Sequence, residues 1–183
     1  WTHDRDMLMS ISNARFYPFG GCWIYNKDHK IYNKNKNISI ISSHKTETLG
    51  HKLRHEVVNY FKSDLDVFGR EYKPLEYKLN GLKDYYYHIV IENVNKDFWF
   101  TEKLIDSFLT GSIPIYWGCP SIEKFFNIKG IMKFKDINEL AICINKCTPK
   151  YYYDKLPYII ENFKLAKNYI LAEDWIYENI LKK

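Results

Sequence analysis

The run Tyr87-His88-Ile89-Val90-Ile91-Glu92-Asn93-Val94-Asn95-Lys96-Asp97-Phe98-Trp99-Phe100-Thr101-Glu102-Lys103-Leu104, continuing to Ile113-Pro114-Ile115-Tyr116-Trp117-Gly118, decides the fold. An apolar strand from His88 to Ile91 ends on the polar pair Glu92 and Asn93. A short loop leads into a helix spanning Thr101 to Thr110, which Thr101 can cap and Gly111 can end. A second apolar strand, Ile113 to Trp117, stops at Gly118. Lys103 falls in the first helical turn, where the helix dipole already places partial positive charge. That lysine becomes favourable when an anion sits against the same turn. The segment has the layout of half a nucleotide-binding crevice.

Outward from this core, short apolar runs alternate with helical ones. The pattern predicts strands at Ile38 to Ser42, Asp66 to Phe68 and Gly130 to Phe134, with helices at Gly50 to Lys62 and Leu75 to Leu82. A helical turn is expected at Ser121 to Phe126, and helices at Ile137 to Lys146, Leu156 to Leu171 and Glu173 to Leu181. Strands that are apolar throughout are those covered by helices on both faces. The expected class is therefore α/β, a Rossmann-like parallel sheet with flanking helices. Residues 1–36 lack a period and carry a Lys/Asn-rich run, so they read as a connector or the tail of a missing N-terminal domain. Residues 37–183 form the expected ligand-binding domain with C-terminal helices.

At 183 residues with 46% hydrophobic content the chain can build a real core. The formal charge of +5 comes from scattered lysines. It suits an anionic ligand, but no basic stripe with interleaved aromatics points to nucleic acid. Cys22, Cys119, Cys143 and Cys147 make no disulfide framework, and Cys143 and Cys147 lack the second pair a metal site needs. Asp64 and Asp66 mimic an Asp-x-Asp metal signature, yet Asp66 falls where a strand begins. His51 and His55 have zinc-site spacing, but Lys52 stands where a zinc protease carries glutamate. No metal site is expected, and no Gly-x-Gly-x-x-Gly or Walker loop is present. His88, interrupting an apolar strand, reads as a hydrogen-bonded core histidine.

Ligands of open parallel sheets bind beyond the carboxyl ends of the strands. The candidates placed there are Ser43, Arg54, Asn93, Trp99, Glu102 and Lys103. Arg54 and Lys103 would bring two charges to a diphosphate, Glu102 and Asn93 would serve sugar hydroxyls, and Trp99 offers an apolar face. Spacing alone equally allows Arg54, Glu102 and Lys103 to be solvated helix residues.

Together these motifs resemble the α-1,3-fucosyltransferase family, in its C-terminal donor-binding domain. That family's signature runs Phe-Glu-Asn-Ser, a short gap, Tyr-x-Thr-Glu-Lys-Leu, then Pro-Val/Ile-x-x-Gly. Here it reads Ile91-Glu92-Asn93-Val94, Trp99-Phe100-Thr101-Glu102-Lys103-Leu104 and Pro114-Ile115-Tyr116-Trp117-Gly118, preceded by Asp66-Val67-Phe68-Gly69. Val94 replaces a serine and Trp99 a common tyrosine.

The resemblance covers about residues 38 to 135. It implies the C-terminal half of a GT-B glycosyltransferase, inverting, with GDP-fucose as donor substrate, a glycan acceptor and no required cofactor. Arg54 and Lys103 would pair with the diphosphate, Glu102 would hold ribose and fucose hydroxyls, and Asn93 and Ser43 would line the crevice. The general base is expected in the missing N-terminal domain, so no catalytic residue is assigned within this chain. The implied location is membrane-associated, at the Golgi membrane in a eukaryote or the cytoplasmic side of the membrane in a bacterium. A transferase using another nucleotide sugar and a non-catalytic nucleotide- or carbohydrate-binding module are the alternatives.

Overall fold

The computed structural model describes residues 1–18 and 20–182. Its centre is a five-stranded parallel sheet ordered β2-β1-β3-β4-β5, built from β1 (Lys36–Ile41), β2 (Asp66–Phe68), β3 (Tyr85–Ile91), β4 (Ile113–Trp117) and β5 (Met132–Lys133). β1 lies between β2 and β3, with Ser39 opposite both Asp66 and His88. On the other side of β3, Ile89 pairs with Ile115. The chain runs one way from β1 to β2 and the other way from β3 to β4. The topological switch point, where such sheets bind ligands, is therefore the β1/β3 boundary.

The alternation of side chains along β3 feeds two cores. Tyr87, Ile89 and Ile91 join Val57 and Val58 of α2 (Leu49–Phe61) on one face. Val90 joins Leu104, Ile105 and Phe108 of α3 (Glu102–Leu109) on the other. Each such fully buried aliphatic or aromatic residue contributes roughly 1.5–3 kcal/mol by leaving water. Covering both faces explains why the strand reads as a continuous apolar run.

Local signals set the helix ends. Thr48 caps α2 by accepting the His51 N–H at 3.2 Å, while His51 Nδ1 accepts the Thr48 N–H at 3.3 Å. His51 is thus a capping residue, and His55 approaches the Lys45 carbonyl at 3.0 Å. Thr101 caps α3, and Gly111 follows it at φ +76°, the left-handed conformation that ends a helix. Asp66 starts β2 and accepts the Tyr85 hydroxyl at 2.7 Å.

Several expectations change. The helix predicted at Leu75 to Leu82 is only a short 3₁₀ turn, Lys78–Gly81. The close approach of Gly81 to Ile41 of β1 and to Leu75 packs this loop against the sheet, and the chain makes only a tight turn there. The turn at Ser121 to Phe126 is likewise a 3₁₀ turn, Ile122–Lys124. The C-terminal region adds α4 (Ile137–Asn145), then α5 (Pro149–Asp154), which Thr148 caps and which periodicity had not resolved. α6 is shorter than predicted, Leu156–Ala166, and passes into a 3₁₀ turn at Lys167–Tyr169. α7 (Ala172–Ile176) continues into wider π-type turns at Tyr177–Leu181.

The segment before β1 packs onto the domain. A short helix at Arg5–Ser10 begins at Asp4, whose carboxylate pairs with Lys96, and Arg5 pairs with Asp97. The Gly21 N–H donates to the Tyr169 carbonyl at 2.8 Å and the Trp23 N–H to Asp106 Oδ1 at 2.9 Å. Lys34, from the Lys/Asn run, is buried. Its ammonium donates to the carbonyls of Leu82, Lys83 and Thr110 and to Ser112 Oγ, all within 3.3 Å. It therefore fastens the lead into β1 to the loop before β3 and to the end of α3. Burial lowers its pKa to about 7, with Asp84 opposing the shift.

Candidate functional site

Two contacts at the end of β3 organise the site. Buried Glu92 accepts the Thr101 backbone N–H at 2.9 Å and the Thr101 hydroxyl at 2.7 Å. The carboxylate thereby holds the N-cap of α3 against the end of the strand. On the opposite face, α2 begins directly over the Glu92–Asn93 backbone. A β-carbon added to Gly50 would lie 1.7 Å from the Glu92 carbonyl oxygen, so only glycine permits that approach. One helical turn later, Arg54 donates from Nη2 to Asn93 Oδ1 at 2.7 Å and from Nε to the Gly50 carbonyl at 3.2 Å.

Between these elements, at the β1/β3 boundary, lies a cavity of about 190 Å³. Its polar lining includes Ser42, Ser43, Arg54, Lys78, Glu102 and Lys103, with His88 and the apolar edge of β3 completing the wall. Ser43, Arg54, Glu102 and Lys103 are thus brought together. Asn93 stands behind Arg54 and fixes its guanidinium. Trp99 is not part of this lining; its ring meets His3 edge-on with centroids 4.6 Å apart.

The electrostatics suit an anion held beside carboxylates. Lys103 Nζ lies 3.2 Å from Thr101 Oγ1, 3.5 Å from Glu92 and 3.4 Å from Glu102. These neighbours offset the repulsion between its charge and the helix N-terminus. Burial is the largest influence on Glu102 and pushes its pKa up, but Lys103, Lys78 and the Thr101 hydroxyl together hold it below the usual carboxylate range. Burial raises the Glu92 pKa despite Lys103 and Thr101. For Arg54, burial lowers the pKa while Glu92 and Glu102 resist. A guanidinium, an ammonium and a helix N-terminus on one cavity are the components of a phosphate grip.

Sequence reasoning missed Lys78, Ser42 and the cavity-facing position of His88. Lys78 sits in the loop misread as a helix, and its Nζ lies 2.6 Å from Asp106, a residue 28 positions away and fully buried. No local pattern announces that pairing. Lys78 also borders a groove of about 740 Å³, whose lining includes Trp23, Tyr25, Asp28, Glu76 and Tyr77. Among the described residues, no group of three or more His, Cys, Asp or Glu gathers around a common point. No helix of the described residues is long and apolar enough to cross a membrane.

Comparison with known proteins converges on the same region. The family described as glycosyltransferase family 10 (fucosyltransferase), C-terminal part, matches residues 31–153. An α-(1,3)-fucosyltransferase of Helicobacter pylori is 30% identical over 100 residues, covering 54% of this chain and 20% of that protein. Among solved structures, an α1,3-fucosyltransferase with GDP is 25% identical with a TM-score of 0.57, covering 82% of this chain and 48% of the other. The same kind of enzyme with GDP-fucose is 26% identical with a TM-score of 0.56, covering 80% and 48%. The chain thus spans about a fifth of the curated relative and about half of each solved chain. With the motifs, the parallel sheet and the family's matched residues all falling on one stretch, this chain belongs to glycosyltransferase family 10, the fucosyltransferases, and carries the C-terminal domain of that family.

Proposed function

We propose that this chain is the donor-binding half of an α-1,3-type fucosyltransferase that takes GDP-fucose and transfers fucose to a glycan hydroxyl with inversion. The observation that carries this reading is the shared cavity. Arg54 and Lys103 come from helices on opposite faces of the sheet and meet at its switch point. The GDP and GDP-fucose bound to similar solved enzymes support the same ligand class.

In this reading the acceptor oxygen attacks the anomeric carbon of fucose as the bond to the β-phosphate oxygen breaks. Negative charge grows on the departing diphosphate. Arg54, Lys103 and the N-terminus of α3 therefore bind the transition state more strongly than the ground state, which is the condition for rate acceleration. Each charge-assisted hydrogen bond to the diphosphate contributes roughly 1.5–3 kcal/mol. Glu102, held ionised beside Lys103, accepts hydrogen bonds from sugar hydroxyls. The base that deprotonates the acceptor is assigned to a second domain, in keeping with a chain that spans about half of the solved enzymes. Membrane association is proposed for the whole protein.

Calorimetry with GDP-fucose, GDP-mannose and UDP-sugars tests the donor. GDP-fucose is expected to bind most tightly. A preference for a UDP-sugar would overturn the fucosyl assignment and leave the architecture with another nucleotide sugar.

A further inference from the structure

His88 and Ser42 have no role in gripping a diphosphate, yet both line the cavity that does so. Ser39 Oγ donates its single proton to the Gly81 carbonyl at 2.7 Å. Its 2.8 Å contact with His88 Nδ1 must then be accepted from an Nδ1–H. The imidazole is fixed in one tautomer, and Nε2 carries the lone pair. His88 is 4% exposed and Ser42 3% exposed. Among the described residues, Ser42 Oγ has no hydrogen-bond partner, an uncommon state for a buried hydroxyl and one that a ligand relieves.

Resting on the donor-site reading above, we infer that His88 and Ser42 form a subsite that recognises a neutral, hydrogen-bond-donating part of the nucleotide and not its phosphates. A lone-pair nitrogen accepts from an O–H or N–H, whereas a phosphate oxygen offers it no proton and two lone pairs in repulsion. The Ser42 hydroxyl can donate to or accept from the same group. At about 190 Å³ the cavity is below the ~300 Å³ of sites that enclose a whole small ligand. With phosphate held by Arg54 and Lys103 in the same cavity, it leaves space for no more than one adjoining ring of the nucleotide, while Lys78 leads on to the larger groove beside it. The ring is the ribose, through a hydroxyl, or the base, through an N–H.

The test compares the wild-type chain with His88→Phe, His88→Gln and Ser42→Ala, titrated with GDP and with inorganic pyrophosphate. We expect GDP affinity to fall about tenfold in His88→Phe and severalfold in Ser42→Ala, with pyrophosphate affinity unchanged. His88→Gln keeps an acceptor and recovers part of the loss. Nitrogen NMR of the wild-type imidazole should show the Nε2 resonance shifting toward a hydrogen-bonded value with GDP but not with pyrophosphate. Titration with 2′-deoxy-GDP and inosine diphosphate separates the two sources. The analogue that lacks the recognised group binds wild type and His88→Phe alike. Equal GDP affinity in wild type, His88→Phe and Ser42→Ala would overturn the subsite while leaving the diphosphate grip standing. Failure of the wild-type chain to bind either GDP or pyrophosphate would instead overturn the donor-site reading itself.

Discussion

Arg54 reaches Asn93 across 39 residues of sequence, its Nη2 donating to the amide oxygen at 2.7 Å while Nε holds the Gly50 carbonyl of its own helix. The guanidinium is thereby anchored at two points, and its remaining N–H groups are available to the cavity. A lysine cannot reproduce this, because it lacks the planar fork that lets one cation bind three directions. Arg54→Lys is expected to weaken GDP binding by about tenfold and, because the Asn93 amide oxygen loses its donor, to cost about 1 kcal/mol of stability, read by calorimetry and by a melting curve.

Lys103→Ala tests the other cation. Losing one charge-assisted contact of roughly 1.5–3 kcal/mol predicts a decrease of about ten- to a hundredfold in GDP affinity. An unchanged affinity would remove Lys103 from the site. Because the variant also leaves Glu92 without its ammonium neighbour, a small loss of stability near neutral pH should accompany it.

Gly50→Ala probes the crossing of α2 over the end of β3. The added methyl would collide with the Glu92 carbonyl, which is backbone and cannot rotate away. Such overpacking costs about 1–3 kcal/mol, a decrease in Tm of roughly 2–12 °C for a chain of this size. GDP affinity should fall in the same variant, since Arg54 is carried on the displaced helix.

Lys34→Met examines the buried ammonium. The substitution keeps the volume but takes the ammonium away from the Leu82, Lys83 and Thr110 carbonyls and from Ser112 Oγ, of which the Leu82 carbonyl keeps the Ser112 hydroxyl as a donor. A loss of about 3 kcal/mol is expected, or roughly 6–12 °C in Tm. A melting temperature equal to that of wild type would show that water replaces the ammonium at no cost.

His88 gives the fold a pH dependence with a definite sign. Burial, helped by Lys78 and Lys34, pushes its pKa down to about 3. In the unfolded chain an imidazole titrates near 6.5. Between those values the unfolded chain takes up a proton that the folded chain refuses, so stability falls as pH drops. The slope from this group approaches about 1.4 kcal/mol per pH unit below about pH 6.5. Urea unfolding at a series of pH values should show a shallower slope for His88→Gln than for wild type. Equal slopes would contradict the assignment.

The parts of the molecule legible in its sequence were those written locally. Thr101 and Gly111 bracket α3, and the apolar runs of β3 and β4 mark buried parallel strands, because capping and burial leave short-range patterns. The gathering of Ser43, Arg54, Glu102 and Lys103 on one cavity was expected from their positions after strands, and the structure joins them. Lys78, by contrast, acquires meaning only through Asp106, and Ser42 only through the want of a partner. Lys34 lay in a polar run that resembles a linker, and nothing in its neighbours reports four acceptors converging from distant segments. The helix expected at Leu75 to Leu82 failed because contact with β1, not local propensity, shapes that loop.

The pair of hydrogen bonds that Thr101 donates to Glu92 has a kinetic and entropic corollary. A turn that is bolted to the sheet before any nucleotide arrives need not be ordered during binding, so the association loses less free energy to immobilisation than a mobile loop would impose. Nucleotide capture at this site should accordingly be fast and close to rigid-body.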